Sequence, residues 1–417
     1  MALSGARPPL TPVETPCLLA SIARPTEGPM TWTALKPQHF PWFNYSRYSF
    51  SLGLVAGNRT FLSGHTASQF DPESRRMVIR GDMAEQTRTA YAKAAAILSA
   101  ADQTLADAVR VIEYVSPRGI EHYDEAASVR AELFGDSPPT ICTTPVKALL
   151  RPDAFIEVEV FAATDKTALP LGLPTGVGHE ASDIVYLPSI EPVDAAGNII
   201  GGNDLVAQTH AVYEQAAAVL EKVGLGTDSI VQTLDYITPG ALDQYKHTGR
   251  VRKERLGPVY PAAAGIIVPR LVHPEALIRV EIIATRATPE AVNPGWARYE
   301  KLTYSPGVKS GNMLFLSGQA ALDPETERML FEGDVVAQAE YTYNNIIKVV
   351  EAAGGGAENL IKTIEYTTPA ALANYREVAN VRSQLLSQPF PVSTGPVCEA
   401  LLRPEMLIEI DPYAILL

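Results

Sequence analysis

An acid and an arginine recur three times at one spacing: Glu113 and Arg130, Asp235 and Arg252, Glu365 and Arg382, each pair 17 residues apart. The first reading is a repeated structural salt bridge; the second is that Arg130 and Arg382 bind substrate. Thr143, Thr144, Ser393 and Thr394 place hydroxyls on strand-like runs. Hydroxyls orient a neutral carbonyl or amine, although threonine also suits strands by shape alone. Cys142 would be a nucleophile only with its thiol pKa lowered by a cation or helix end, and no His or Lys adjoins it in sequence. A buried, inert thiol is the simpler reading. His65 follows Ser63-Gly64 and is either a proton carrier or surface polarity. There is no Ser/His/Asp signature and no zinc-ligand spacing. Gly354-Gly355-Gly356 lacks a capturing lysine and reads as a helix stop, not a phosphate cradle. Cys17, Cys142 and Cys398 are too scattered for a disulfide framework or a structural zinc site. No metal and no cofactor are expected.

The elements that must position these groups come in three copies. Ile112-Glu113-Tyr114-Val115-Ser116-Pro117 returns as Leu234-Asp235-Tyr236-Ile237-Thr238-Pro239 and as Ile364-Glu365-Tyr366-Thr367-Thr368-Pro369, at offsets of 122 and 130 residues. The same offsets link Leu150-Arg151-Pro152 with Val272-His273-Pro274 and Leu402-Arg403-Pro404. They also link Asp82, Asp204 and Asp334, and Gln86, Gln208 and Gln338. A period this long is a whole domain, not a solenoid unit. Repeats are placed at 44–164, 179–286 (degenerate) and 299–417, with 165–178 and 287–298 as linkers and 1–43 as a Pro-rich extension wrapping the surface. Within a copy the periodicity predicts β-β-α-β-α-β-β. In repeat 1, Asp82 caps a helix whose apolar face is Met83, Ala90, Tyr91, Ala94, Ile97 and Leu98. Two helices cover one face of such a sheet. The apolar residues on the other face call for three copies packing together.

The composition of the 417 residues, 46% apolar and 19% charged, excludes global disorder. No apolar run approaches the roughly 18 residues of a membrane span, and residues 1–30 make a poor signal peptide, so a cytoplasmic location is expected. The net charge of −13 counts against nucleic acid as a partner. A small-molecule substrate is the expected partner.

Tyr304-Ser305-Pro306-Gly307-Val308, Leu314-Phe315-Leu316-Ser317-Gly318-Gln319 and Leu402-Arg403-Pro404-Glu405 in repeat 3, with Phe61-Leu62-Ser63-Gly64 and Ile156-Glu157-Val158-Glu159 in repeat 1, resemble the Rid (reactive intermediate deaminase, YjgF-like) family. Repeat 2 is weaker, reading Tyr186-Leu187-Pro188-Ser189 where the Ser-Gly should stand. The resemblance implies an α+β, chorismate-mutase-like fold and a trimer with clefts between subunits. Here that trimer would be an intrachain pseudo-trimer with three unequal clefts; further self-association is left open. It also implies hydrolysis of imines or enamines to ketones and ammonia without metal or organic cofactor. The family's arginine for the substrate carboxylate falls at Cys142, Ala264 and Thr394, and is therefore absent from all three copies. The small polar position two later is Thr144, Ile266 and Pro396. The water-holding glutamate, fifteen residues after the arginine position, is Glu157 in repeat 1, Arg279 in repeat 2 and Glu409 in repeat 3.

Glu157 and Glu409 are thus the catalytic candidates, against the plain alternative of exposed strand residues. Arg279 is either an anion hook or a solvated strand residue, the latter preferred. Phe50 and Tyr304 stand where the family places a cleft-lining tyrosine, and Arg130 or Arg382 would replace the missing arginine. The expected function is a deaminase-type hydrolase acting on a C–N bond, on a substrate lacking the usual carboxylate. Alternatives are an amide or ring-opening hydrolase and a non-catalytic binding protein; the endoribonuclease role described for some relatives ranks last on the −13 charge.

Overall fold

The recurring aspartates start the long helices. The Asp82 side chain accepts from the Glu85 amide, Asp204 from Val206 and Ala207, and Asp334 from Val336 and Ala337. In this computed structural model, which describes residues 32–173 and 176–416, those helices run Met83–Leu98, Leu205–Lys222 and Val335–Ala352. Cys17 lies outside the described residues. Each helix covers one face of a mixed sheet. Its two central strands are antiparallel: Ala108–Val115 with Ile156–Ala163, Ile230–Ile237 with Ile278–Thr285, and Leu360–Thr367 with Ile408–Ile415. The fourth strand of each copy pairs parallel to the first of these: Thr140–Pro145, Ala262–Ile267 and Val392–Thr394.

The recurring glutamines fix the last strand. Gln338 Nε2 donates to the carbonyls of Phe331 and Glu405, and its Oε1 accepts from the Leu407 amide two residues before Glu409. Gln86 and Gln208 make the same clamp to Asp153 and Phe155, and to Glu275 and Leu277. The marker therefore sets where the last strand, with its glutamate, begins.

The three sheets turn their other faces to one another and form a single core drawn from all repeats, with one further core under each helix layer. Tyr114, Tyr236 and Tyr366 are fully buried there, and the Tyr236 and Tyr366 hydroxyls lie 2.8 Å apart. Around them runs a cyclic polar ring. Arg110 of repeat 1 pairs with Glu281 of repeat 2, Gln232 of repeat 2 donates to Asp411 of repeat 3 at 3.0 Å, and Lys362 of repeat 3 pairs with Glu159 of repeat 1 at 2.7 Å. Strand exchange ties the copies further. Ala148–Leu149 leaves repeat 1 to pair with Pro396–Val397, and Ala400–Leu401 of repeat 3 extends the repeat 2 sheet beside Ile266 and Ile267. The chain is an α+β intrachain pseudo-trimer.

Several local expectations change. The predicted run Thr143–Leu150 is two strands, because the Val146 amide still bonds to Val115 of its own repeat while the Lys147 amide crosses to Val397 of repeat 3. The stretch 165–178 carries a strand, Thr167–Leu173, paired with Gly176–Ala181, and 287–298 carries Glu290–Val292, paired with Gly307–Ser310. In the N-terminal extension, Trp32–Ala34 pairs with Gly53–Ala56 as an edge strand. Among the described residues no helix is long and apolar enough to cross a membrane.

Candidate active site

Each last strand faces the fourth strand of a different repeat. The first two clefts are built alike. The Ser317 hydroxyl donates to the Ser305 carbonyl and accepts from the Ala263 amide across the repeat boundary, while the Gly318 amide donates to the Ala263 carbonyl at 3.1 Å. Ser63 makes the same hook to Ser51 and Ser393, and the Gly64 amide donates to Thr394 Oγ1 at 3.0 Å. Both glycines leave room for the glutamate: Gly318 fronts Glu409 and Ala264, and Gly64 fronts Glu157 and Thr394. Glu409 thus works against repeat 2, and Glu157 against repeat 3.

The third cleft has lost this design. Ser189 stands where the glycine should be, Pro188 replaces the hook serine, and Arg279 Nη2 donates to Ser189 Oγ. Cys142 faces this corner, wholly buried; burial raises its thiol pKa, and Arg279 only partly opposes that. Thr143 Oγ1 is held by the Tyr123 hydroxyl at 2.5 Å, and Thr144 looks to the axial ring, 3.5 Å from Glu281. Cys142, Thr143, Thr144 and Arg130 therefore gather in a cleft where Arg279 stands in place of the site glutamate.

Burial corrects four of the plainer readings. Glu157, Glu409 and Arg279 are at most 8% exposed and are not solvated strand residues, and His65 is 4% exposed, not surface polarity. Burial and the Lys93 charge push His65 down to about 3, so it stays neutral at physiological pH. Arg130 and Arg382 both reach the buried acid of their pair, at 2.5 Å to Glu113 and 2.6 Å to Glu365. Tyrosines complete both clusters: Tyr123 donates to Glu113, and Tyr375 to Glu365. Arg382 also touches Ser49 at 3.2 Å, at the edge of the Glu157 cleft.

The two glutamate clefts differ in filling. At Glu157 the helix contributes Lys93, fully buried, whose ammonium donates to the Thr66 and Ser68 carbonyls beneath the rings of Trp42 and Phe43. Phe40 and Phe43 close over His65, and Phe50 stacks on Tyr48. Burial, then Glu159, raises the Glu157 carboxyl to about 7, partly opposed by Lys362, Lys93 and Arg151. Burial lowers Lys93 to about 7.

At Glu409 a cavity of about 210 Å³ is open between repeats 3 and 2. Burial, then Asp411, pushes its carboxyl up to about 8. Asn345 stands where repeat 1 has Lys93, and its buried Oδ1 has no partner among the described residues. One wall is Tyr245 and Arg252 of repeat 2, both engaged with Asp235. The other is an aromatic cover of Trp296, Tyr299 and Tyr304. It is set by Asn293, whose Oδ1 accepts from the Gly295 and Trp296 amides, with Gly295 at φ +91°. Trp42 and Tyr45 recur here as Trp296 and Tyr299, 254 residues on. That repeat of aromatics was the available signal for Trp296, which composition alone assigned to a linker, and for Tyr299 at the start of repeat 3. A wider groove of about 730 Å³ in repeat 2, around Asn198, Arg270 and His273, has Glu275, exposed, as its one carboxylate among the described residues.

Comparison with known proteins agrees with the architecture. The chain is 33% identical over 141 residues to a RutC family protein of Synechocystis sp., covering 33% of this chain and 97% of that one. It is 37% identical over 81 residues to a 2-iminobutanoate/2-iminopropanoate deaminase of Escherichia coli, covering 19% of this chain and 55% of that one. Among solved structures, a chorismatase superposes with a TM-score of 0.53 at 16% identity, over 74% of this chain and 93% of that one, a likeness of fold. The Endoribonuclease L-PSP family profile matches residues 44–164, 178–286 and 298–416. The chain belongs to that Rid-type family, with three copies of its domain in one polypeptide.

Proposed function

We propose that this protein is a hydrolase of imine or enamine C–N bonds, with turnover in the cleft between repeats 3 and 2 and Glu409 as its acid–base. The observation that carries this is a buried carboxyl, raised to about 8, opening onto the 210 Å³ cavity. At neutral pH such a carboxyl is mostly protonated. It gives its proton to the imine nitrogen, and the carboxylate then takes one from the water attacking the imine carbon. The carbinolamine collapses to ketone and ammonia as Glu409 passes that second proton to nitrogen and its carboxylate takes the one the hydroxyl loses. Glu409 ends as it began, and no metal or cofactor enters these steps. The relatives named as iminoacid deaminases support this class.

With Ala264 at the arginine position, nothing on the fourth strand grips a carboxylate next to the reacting carbon, so substrates without that group are favoured. Glu157 has the same setting, but Lys93 and the Trp42–Phe43 cover occupy its cleft, so its contribution is minor. Ammonia release from freshly generated imines, with and without an α-carboxylate, tests the reading. Glu409→Gln should cut turnover roughly 100-fold or more, and Glu157→Gln only a few-fold. An unchanged rate in Glu409→Gln would sink the mechanism.

A further inference from the structure

The Glu409 cavity carries cations that no acid neutralises. Arg252 is committed to Asp235 at 2.8 Å. Arg298 and Arg403, which also line the cavity, have no carboxylate within ion-pair distance among the described residues. Arg403 reaches the Glu327 carbonyl, and Arg298 Nε is buried without a partner among the described residues. The Arg298 guanidinium lies 5.2 Å over the Tyr299 ring, which orients its remaining donors. In the Glu157 cleft the corresponding position is Asn44, so of the two glutamate clefts this cation distinguishes the Glu409 one.

Beside it stands a surface for a flat ring. Trp296 and Tyr299 stack at 5.9 Å and 28°, and Tyr304 meets Tyr299 edge-on at 5.5 Å. A volume of about 210 Å³ takes one ring with a short side chain, being below the roughly 300 Å³ at which drug-sized pockets begin.

We propose that the substrate is a planar, conjugated imine or enamine whose anionic group is remote from the C–N carbon, its ring against Tyr299 and Trp296 and its anion held by Arg298 and Arg403. This rests on the Glu409 reading for the reaction, but binding can be tested without turnover. The probes are cinnamate, cinnamamide, 3-cyclohexylpropanoate and pyruvate, titrated calorimetrically into the full chain. Cinnamate should bind at least roughly ten-fold more tightly than each of the others, the worth of a charge-assisted contact or a ring stack. Arg298→Met should remove most of that preference, Arg403→Met part of it, and Arg298→Lys should keep part, with circular dichroism showing each variant folded. Equal binding of cinnamate and cinnamamide, an unaffected Arg298→Met, or no binding of any ring compound would overturn the proposal. Failure of the acid–base reading would show separately, as undiminished turnover in Glu409→Gln.

Discussion

Gly318 and Glu409 share one small space: a methyl group on Gly318 would collide with Glu409 Oε1 and come within 2.9 Å of the Ala264 Cβ. The glycine is therefore a requirement of the acid behind it, not of a turn. Gly318→Ala is expected to displace the carboxyl and lower turnover about 100-fold, the cost of roughly an ångström of misplacement. Gly64→Ala, with its methyl 2.5 Å from Glu157 Oε1 and 2.6 Å from Thr394 Cγ2, should lower the unfolding temperature and leave turnover nearly unchanged. Steady-state kinetics and thermal melts on both variants separate the two outcomes.

Activity and stability should both fall on the alkaline side. Glu409 must hold a proton to start the cycle, so kcat/KM should drop as pH rises through about 8. Asp411 ionises over the same range, so Asp411→Asn removes the negative charge that appears beside Glu409 there and should move that limb to lower pH. For stability the sign follows from where the proton sits. Burial raises Asp411 from 3.8 to about 8, so between those values the folded chain keeps a proton that the unfolded chain releases. Its contribution is full below 3.8 and lost as pH approaches 8. Asp411 faces Lys362, Arg110, Glu159 and Glu281, and its one hydrogen-bonded partner across the repeat boundary, Gln232, is neutral. Denaturant melts from pH 5 to 9 should show this slope in the wild type and a shallower one in Asp411→Asn.

Arg110 and Glu281 should behave as a unit. Removing one partner leaves a buried charge alone, so Arg110→Met or Glu281→Leu is expected to cost about 3–5 kcal/mol. Arg110→Met/Glu281→Leu should recover much of that loss. A double-mutant cycle by urea unfolding gives the coupling, and additive effects would contradict it.

The order of strands and helices was legible because periodicity and capping are local. Asp82 and Gln86 and their counterparts recur because each copy needs the same helix start and the same clamp on its last strand. The acid–arginine pairs were legible as structure for the same reason. What sequence could not show was which repeat faces which: Glu157 meets Thr394, and Cys142 meets Arg279, although counting along the chain sets Glu157 with Cys142. That assignment depends on strand exchange between distant segments. Of the aromatic cover, Tyr304 was legible through the resemblance; Trp296 was missed because Asn293-Pro294-Gly295 reads as a linker turn, and only the folded chain shows that this turn aims Trp296 at the cavity.

Gln338 offers a test of that clamp. Gln338→Leu frees the Leu407 amide and the Glu405 carbonyl next to Glu409, and should lower stability by about 1–3 kcal/mol together with turnover. Gln86→Leu should cost similar stability at Glu157 with little kinetic effect. Chemical denaturation and initial rates on the pair decide it.

Strand exchange also has a consequence for how such a protein can change over time. In a trimer of identical chains, every substitution arrives in triplicate, and a residue that improves one cleft is imposed on the other two. Here Ala148–Leu149 and Ala400–Leu401 lock the three copies into fixed neighbours. Each boundary is therefore written by its own stretch of coding sequence. Ser189 and Arg279 could be traded in at one boundary, Lys93 at another and Arg298 at the third, each without echo elsewhere. One boundary is thus free to specialise while the others hold the assembly together.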